Sequence, residues 1–206
     1  MKISNTIKLT TLALTIGLTT SSFAQDDGME MKKDKKMIKN EKMMMETKMV
    51  GGAEMYPNKN IIENAVNSKD HTTLVAAVKA AELVETLKGE GPFTVFAPTN
   101  EAFEKLPKGT VETLLMAENK AKLQSVLTYH VVSGKVSVLD LMKMIKNGNG
   151  KTELTTVNGG TLTAMLKGKK VQLKDAAGNI STVTIADVNQ SNGVIHVVDT
   201  VVLPGM

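Results

Sequence analysis

The spacing of apolar residues changes along the chain from a helical to a strand period, and this change restricts the folds that the chain can adopt. From residue 57 to about residue 146, apolar residues recur every three or four positions in groups separated by glycine and proline, as in amphipathic helices. After residue 147, short runs rich in Val, Thr and Leu alternate with turn sequences such as Asn-Gly. A helix-rich half followed by a strand-rich half predicts an α+β fold for residues 57–204.

The same patterns predict the individual elements. Helices are predicted from the apolar groups at residues 61–66, 74–87, 103–106, 111–127 and 138–145. Thr99 or Asn100 is predicted to cap the third of these helices. Strands are predicted at residues 93–97, 129–132, 153–157, 161–166, 170–174, 181–186 and 194–203.

Composition excludes several classes of site. The chain has no Cys, which excludes disulfides, thiolate metal sites and thiol catalysis. Only 3% of its residues are aromatic and it has no Trp, so the core must be aliphatic and stacking surfaces for single-stranded nucleic acid are scarce. The formal charge is +4, and removal of Lys2 and Lys8 with the leader described next leaves +2. This charge is too small for a nucleic-acid interface.

Residues 1–24 have the features of a secretory signal peptide. Lys2 and Lys8 provide the positive start, residues 9–18 are apolar with interspersed Thr, and Ser22 and Ala24 place small residues at the cleavage positions. An apolar run of ten residues is half of the roughly twenty that a membrane-spanning helix needs. We therefore expect cleavage after Ala24 and an exported chain, secreted, at the cell surface or periplasmic, with no transmembrane segment in its mature form.

Residues 25–56 differ from the rest of the chain. They contain eight Met, seven Lys and seven acidic residues with almost no branched aliphatic side chains, which predicts a charged linker, disordered or partly helical. An alternative is a Cu(I) site, because thioethers are soft ligands and Met43, Met44 and Met45 are consecutive. The segment has no His or Cys to complete such a site, so the linker is the favoured interpretation.

Three segments of the remaining chain resemble the signature segments of fasciclin domains, in the family's order. They are TVFAPTNEAF at residues 94–103, YHVV at residues 129–132 and NGVIHVVDTVVLP at residues 192–204. The resemblance covers about residues 57–204. It implies a wedge of two β-sheets with helices packed around it, and a secreted adhesion or matrix role without a cofactor.

The resemblance also implies candidate binding residues. In some animal members an Asp-Ile pair before the last segment, together with the Tyr-His region, is implicated in integrin binding. The corresponding candidates here are Asp187, Val188, Asn189, Tyr129 and His130, with Val188 in place of Ile. The implied partner is a surface or matrix protein or a polysaccharide.

The residues that could perform catalysis form no recognised motif. No nucleophile elbow, P-loop, dinucleotide fingerprint or zinc-protease helix occurs. His130 and His196 lie in apolar runs and are interpreted as buried structural residues, whereas His71 is expected to be exposed at a helix start. Asp187 and Asp199 are the candidates for acid–base chemistry near the predicted strands. Asp187 precedes a predicted turn at residues 189–193, and a turn-stabilising carboxylate is the favoured interpretation. We therefore predict a non-enzymatic adhesion module, with a copper-binding protein as the alternative and a hydrolase as the least favoured class.

Overall fold

The computed structural model describes residues 47–205. The predicted signal peptide and the candidate copper ligands Met43, Met44 and Met45 lie outside the described residues. None of the helices between residues 47 and 205 has the length and apolar character needed to span a bilayer.

Strands and helices follow one another as the sequence patterns indicate, with strands concentrated after residue 150. The strands are β1 (Lys48–Val50), β2 (Ala53–Met55), β3 (Phe93–Pro98), β4 (Val131–Ser133), β5 (Lys151–Thr155), β6 (Thr161–Lys167), β7 (Lys170–Lys174), β8 (Ile180–Gln190) and β9 (Gly193–Val198). The α-helices are α1 (Ile61–Ala65), α2 (Thr72–Ala80), α3 (Val84–Lys88), α4 (Asn100–Glu104), α5 (Thr110–Leu115), α6 (Lys120–Tyr129) and α7 (Val138–Asn147). Single 3₁₀ turns precede α2 and α6.

Seven of the strands form one sheet in the order β4-β3-β9-β8-β7-β6-β5. Strand β8 joins two halves of this sheet, because residues 180–182 pair with β7 and residues 183–190 pair with β9. The free edges of the sheet approach each other, and the amide of Val157 donates a hydrogen bond to the carbonyl of Val131 at 2.7 Å. The two β-sheets of the predicted wedge are the two halves of this sheet, which share β8.

The parallel pair β3–β9 lies between the two hydrophobic cores of the domain, whereas the other strand pairs of the sheet are antiparallel. All six residues of β9 are buried, because both faces of this strand are covered. Gly193 lies against the backbone of β3, and a Cβ atom at this position would be 2.1 Å from the carbonyl oxygen of Phe93. Only glycine permits the two strands to pair in this register.

Two hydrophobic cores lie on opposite faces of this strand pair. Val95 and Ile195 face a core formed with the helices α1, α2, α3 and α6 and the hairpin β1–β2. Phe96 and Val198 face a second core, formed with α7 and the strands β5–β8. Neighbouring residues of a strand point to opposite faces, so each of the two central strands contributes to both cores.

The α+β fold class is confirmed, and most of the predicted helices and strands are present. The predicted strand at residues 170–174 has the observed bounds of β7. Thr99 caps α4, since its side-chain oxygen accepts a hydrogen bond from the amide of Ala102 at 3.3 Å. The predicted helices at 74–87 and 111–127 are each divided in two by a turn.

The N-terminal boundary of the folded part differs from the prediction. Residues 48–55, which were assigned to the linker 25–56, form the antiparallel hairpin β1–β2. Val50 and Met55 are 4% and 3% exposed and belong to the first core. The hairpin is folded because its two apolar side chains cover helices that would otherwise expose apolar surface.

Three strand predictions also differ from the structure. The run 129–132 is not a strand throughout: Tyr129 ends α6, His130 caps this helix, and β4 begins at Val131. The strand predicted at 194–203 ends at Val198, and the strand predicted at 181–186 extends to Gln190. In each case the apolar residues are compatible with a strand, with a helix end or with a buried loop. Contacts with distant parts of the chain determine which of these structures forms.

The buried hairpin leads to a prediction about domain limits. A chain of residues 47–206 should unfold cooperatively and at a higher temperature than a chain of residues 57–206. Burial of Val50 and Met55 contributes about 1.5–3 kcal/mol per side chain, of which the ordering of the hairpin offsets a part. Each kcal/mol corresponds to about 2–4 °C in Tm for a domain of this size. Thermal melts of both chains measure the difference, and equal Tm values would show that the hairpin is not part of the stable domain.

Candidate functional site

The candidate binding residue Asp187 lies in a bulge of β8. Ile185 pairs with Val197 and Val188 pairs with Ile195, so β8 advances three residues where β9 advances two. The extra residue is accommodated by Asp187, whose φ is +54°. Asp and Asn adopt this left-handed conformation more readily than most residues, and a bulge redirects the side chain of the residue concerned.

Contacts on both sides hold the bulge in place. The Oδ1 atom of Asp187 accepts a hydrogen bond from the amide of Val138 at 2.8 Å. This amide belongs to the first residue of α7, where a negative charge is favoured by the helix dipole. The Nζ atom of Lys48 donates a hydrogen bond to the carbonyl of Ala186 at 2.7 Å. Asp187 is half-buried, so part of the residue lies at the surface.

The buried side chain of His196 forms a hydrogen bond with the backbone of the bulge. Its Nδ1 atom accepts a hydrogen bond from the amide of Asp187 at 3.2 Å, and its Nε2 atom lies 2.9 Å from the carbonyl oxygen of Val136. The imidazole is therefore neutral with the proton on Nε2, which donates to Val136. Burial lowers the pKa of His196, and the Val136 carbonyl and Asp187 oppose this only in part. Stacking on Phe96, with ring centroids 5.6 Å apart, completes its environment.

Tyr129 and His130 are interior residues, contrary to the prediction of an exposed side on this pair. Tyr129 is 0% exposed, and its hydroxyl donates to the carbonyl of Thr161 at 2.7 Å. The same hydroxyl accepts a hydrogen bond from the amide of Ala176 at 3.2 Å. The side chain thereby joins α6 to β6 and to the turn after β7, and a partner on the surface cannot contact it.

His130 is buried as predicted and has a structural role. Its Nδ1 atom lies 2.8 Å from the carbonyl oxygen of Val126 and its Nε2 atom accepts a hydrogen bond from the amide of Val202 at 3.2 Å. The proton is therefore on Nδ1, and the neutral ring joins α6 to the segment after β9. Burial lowers the pKa of His130 to about 4, and the Val126 carbonyl and Asp175 only partly offset this effect.

His71 is buried, whereas the sequence analysis expected it to be exposed. It is 3% exposed, although it lies at the start of α2 as predicted. Its Nδ1 atom is 2.8 Å from the hydroxyl oxygen of Ser68. Among the described residues no group meets hydrogen-bond geometry with its Nε2 atom. Burial lowers the pKa of His71, while the Ala97 carbonyl and Asp70 oppose the change.

The predicted turn at residues 189–193 is shorter than expected. Asn189 and Gln190 are the last residues of β8, and Asn189 is half-buried. Val188 is 1% exposed and belongs to the first core. Asn192 is also buried: its Oδ1 atom accepts from the amide of Ile61 at 3.0 Å, and its Nδ2 atom donates to carbonyls of residues 87 and 89. Of the five candidate binding residues, Asp187 and Asn189 therefore reach the surface.

The second carboxylate considered for acid–base chemistry has a structural role. Oδ1 of Asp199 accepts hydrogen bonds from the amide of Thr182 at 2.8 Å and from the hydroxyl of Thr200 at 3.1 Å. Within residues 47–205 no three His, Asp or Glu side chains come together as a metal site would require.

Lys48 contacts the bulge but was missed in the sequence analysis, because it lies in the segment assigned to the linker. A signal for its position is present in the sequence. Gly51-Gly52 is a two-residue turn of the type that connects hairpin strands, and Val50 and Met55 flank it with apolar side chains.

The chain is similar to proteins of a known family. A family model of the Fasciclin domain matches residues 69–204. The protein named Protein sll1483 of Synechocystis sp. is 52% identical over 146 residues, which cover 71% of this chain and 74% of the relative. A second protein of that organism, named Uncharacterized protein sll1735, is 43% identical over 71% of this chain and 98% of its own length.

A solved structure has the same fold. It is a FAS1 domain pair from the insect cell adhesion molecule Fasciclin I, which matches with a TM-score of 0.64 at 19% identity. The match covers 72% of this chain and 52% of the insect chain. The identity is low, so this likeness describes the fold.

The histidine contacts lead to a prediction about stability. Substitution of His196 by Ala should destabilise the domain more than substitution of His71 by Ala. The first change leaves the Asp187 amide and the Val136 carbonyl unpaired, and each such buried group costs about 1–3 kcal/mol. The second leaves only the Ser68 hydroxyl. Urea unfolding at pH 7.5 measures both values, and equal losses would contradict the role assigned to His196.

Burial of His130 leads to a prediction about pH. The folded-state pKa is about 4 and the unfolded-state value is about 6.5, so between these pH values the unfolded chain binds a proton that the folded chain excludes. The free energy of unfolding should therefore fall as the pH decreases from 6.5 to 4, by about 1.4 kcal/mol per pH unit from this residue. Urea unfolding at pH 7, 6 and 5 measures the slope. Substitution of His130 by Gln should reduce it by that amount, and an unchanged slope would refute the assignment.

Proposed function

Because the chain belongs to the fasciclin domain family, we propose that it is an exported, non-enzymatic binding module that attaches to a surface or matrix component. The family relation supports a binding role, because fasciclin domains are generally non-enzymatic adhesion modules. The signal-like sequence of residues 1–24 supports export. The partner in this proposal is a protein or polysaccharide of the producing cell's envelope or matrix.

The observation that carries the proposal is the fixed position of the β8 bulge. Asp187 is held by the amide of Val138 and the ring of His196, and Asn189 follows two residues later on the same strand. A carboxylate that a hydrogen bond already orders loses little side-chain entropy when a partner binds. Loops and bulges on a rigid sheet are common binding positions for the same reason. We call Asp187 and Asn189 the bulge patch.

The buried candidates have a different part in this proposal. Tyr129, His130 and Val188 position the sheet and the neighbouring segments, while the bulge patch makes the contact. Imidazoles that are neutral and bonded to backbone groups are poorly placed to transfer protons to a substrate. This arrangement of His130 and His196 supports a binding role over a hydrolytic one.

The proposal predicts the effect of changes in the bulge patch. The double variant Asp187→Asn, Asn189→Ala should bind the envelope fraction of the producing cell at least about tenfold more weakly, because it removes one charge and one polar side chain. Asn retains an acceptor for the Val138 amide and tolerates a positive φ, so Tm should remain within a few degrees. Sedimentation of the purified full chain with the envelope fraction measures binding.

A matched control separates loss of contact from loss of charge. Glu153→Gln removes one carboxylate from β5, where the side chain is exposed, and should leave binding unchanged. Unaltered binding by the bulge variant would place the contact surface elsewhere on the domain. A large fall in its Tm would show that the patch serves stability instead.

A further inference from the structure

A cavity of about 80 Å³ lies within the first core. The hairpin β1–β2, the helices α1 and α2, and one face of β3 and β9 all contribute to its wall. Residues that define these sides are Val50, Met55, Ile61, Leu74, Val95 and Ile195. Side chains in protein cores usually leave few voids larger than a water molecule, so a partly open space of this size among core side chains is unusual.

The wall is suited to an apolar occupant. An engineered apolar cavity of about 150 Å³ remains free of water and binds benzene or xenon. The cavity here is about half that volume, so it fits molecules smaller than benzene. Hydrocarbon groups of about three or four carbon atoms are in this range.

One polar residue in the wall adds a chemical preference. His71 lines the cavity and is 3% exposed, and within the described part of the chain its Nε2 atom makes no hydrogen bond of normal geometry, although the Ala97 carbonyl is close enough to oppose the fall in the pKa of His71. A buried polar atom without a partner is rare in folded proteins and requires an explanation. A bound molecule with one hydrogen-bonding group would provide the missing partner.

A hydroxyl group fits this position whichever tautomer His71 adopts. The Nδ1 atom shares its hydrogen bond with the Ser68 hydroxyl, which can donate or accept. Nε2 is therefore a donor in one arrangement and an acceptor in the other. A hydroxyl group can accept a hydrogen bond from a protonated Nε2 and can donate one to an unprotonated Nε2. A carbonyl or an amine forms a good hydrogen bond with only one of these two states.

We propose that this cavity is a binding site for a small neutral alcohol, whose hydrocarbon part fills the apolar space and whose hydroxyl group bonds to Nε2 of His71. The cavity differs from the bulge patch in its residues: neither Asp187 nor Asn189 lines it, although Val188 between them does. It would give the domain a ligand in addition to its macromolecular partner.

Two probes test the cavity and its polar group separately. Binding of xenon tests whether the apolar cavity is accessible. Binding of 1-propanol tests the cavity together with the hydrogen bond to His71. In ¹H–¹⁵N spectra of the full chain, both should produce saturable shifts at the amides of Leu74 and Val95. Methanol, which has little apolar surface, should produce no saturable shifts at the same concentrations.

Variants assign the shifts to the cavity. Ala65 lines the cavity from α1, and Ala65→Leu should weaken binding of both probes at least tenfold. Val66→Leu is the matched control, because this residue caps the end of α1 and is 49% exposed, and the variant should bind both probes as the parent does. Val75→Ile fills the cavity from α2 by one methylene and repeats the test if Ala65→Leu unfolds.

The polar contact has its own variant. His71→Leu should retain xenon binding while its affinity for 1-propanol falls about two- to tenfold, the range expected for loss of one neutral hydrogen bond. Absence of xenon binding by the parent chain, or equal binding by Ala65→Leu, would overturn the cavity site. Unchanged 1-propanol affinity in His71→Leu would overturn the assignment of the hydroxyl contact.

Discussion

The parallel pairing of β3 with β9 is the constraint on which the rest of the structure depends. Phe93 pairs with Gly193, one hundred residues later in the chain, and the pairing continues to Pro98 and Val198. Both strands are covered on both faces, so they divide the interior into two cores. The first and last of the family's signature segments are therefore neighbours in space. Each of these segments presents apolar side chains to both cores, and Gly193 permits their close approach.

Polar groups in the interior are satisfied by the backbone around this strand pair. His130 bonds to the carbonyl of Val126 and the amide of Val202, and His196 bonds to the Val136 carbonyl and the Asp187 amide. Each ring joins segments that are distant in the sequence, and each can do so only as the neutral species. Such fully paired polar groups specify one arrangement of a core that could otherwise be packed in several ways. The left-handed residue of the β8 bulge belongs to the same network.

Local patterns in the sequence were sufficient for the fold class and for most elements, because helix caps, turn residues and apolar periods act over a few neighbouring residues. Thr99 as a cap and the bounds of β7 are examples.

The predictions failed where contacts between distant parts of the chain determine the local structure. Tyr129 ends a helix because its ring enters the second core and its hydroxyl reaches the backbone of β6, and no neighbouring residue indicates this. His71 is buried because the hairpin β1–β2 covers the helices beside it, and this hairpin lay in a segment judged by composition. Of the candidate binding residues, Asp187 and Asn189 lie partly at the surface and their role in binding stays a prediction, whereas the contribution of Lys48 could not be predicted because it depends on that hairpin.

The order of strands along the chain also affects how the domain can be made. Strand β3 is produced early, but its partner β9 is the last strand in the sequence, so the two central strands cannot meet until about a hundred more residues have followed. A chain that emerges from a ribosome or a translocation channel with its N-terminus first would meanwhile expose the apolar side chains of β3. Closing so long a loop is slow, and unpaired apolar strands favour association with other chains. The domain should therefore acquire its native structure only after β9 has been synthesised. A chaperone that binds extended apolar segments would have its largest effect between the synthesis of β3 and that of β9.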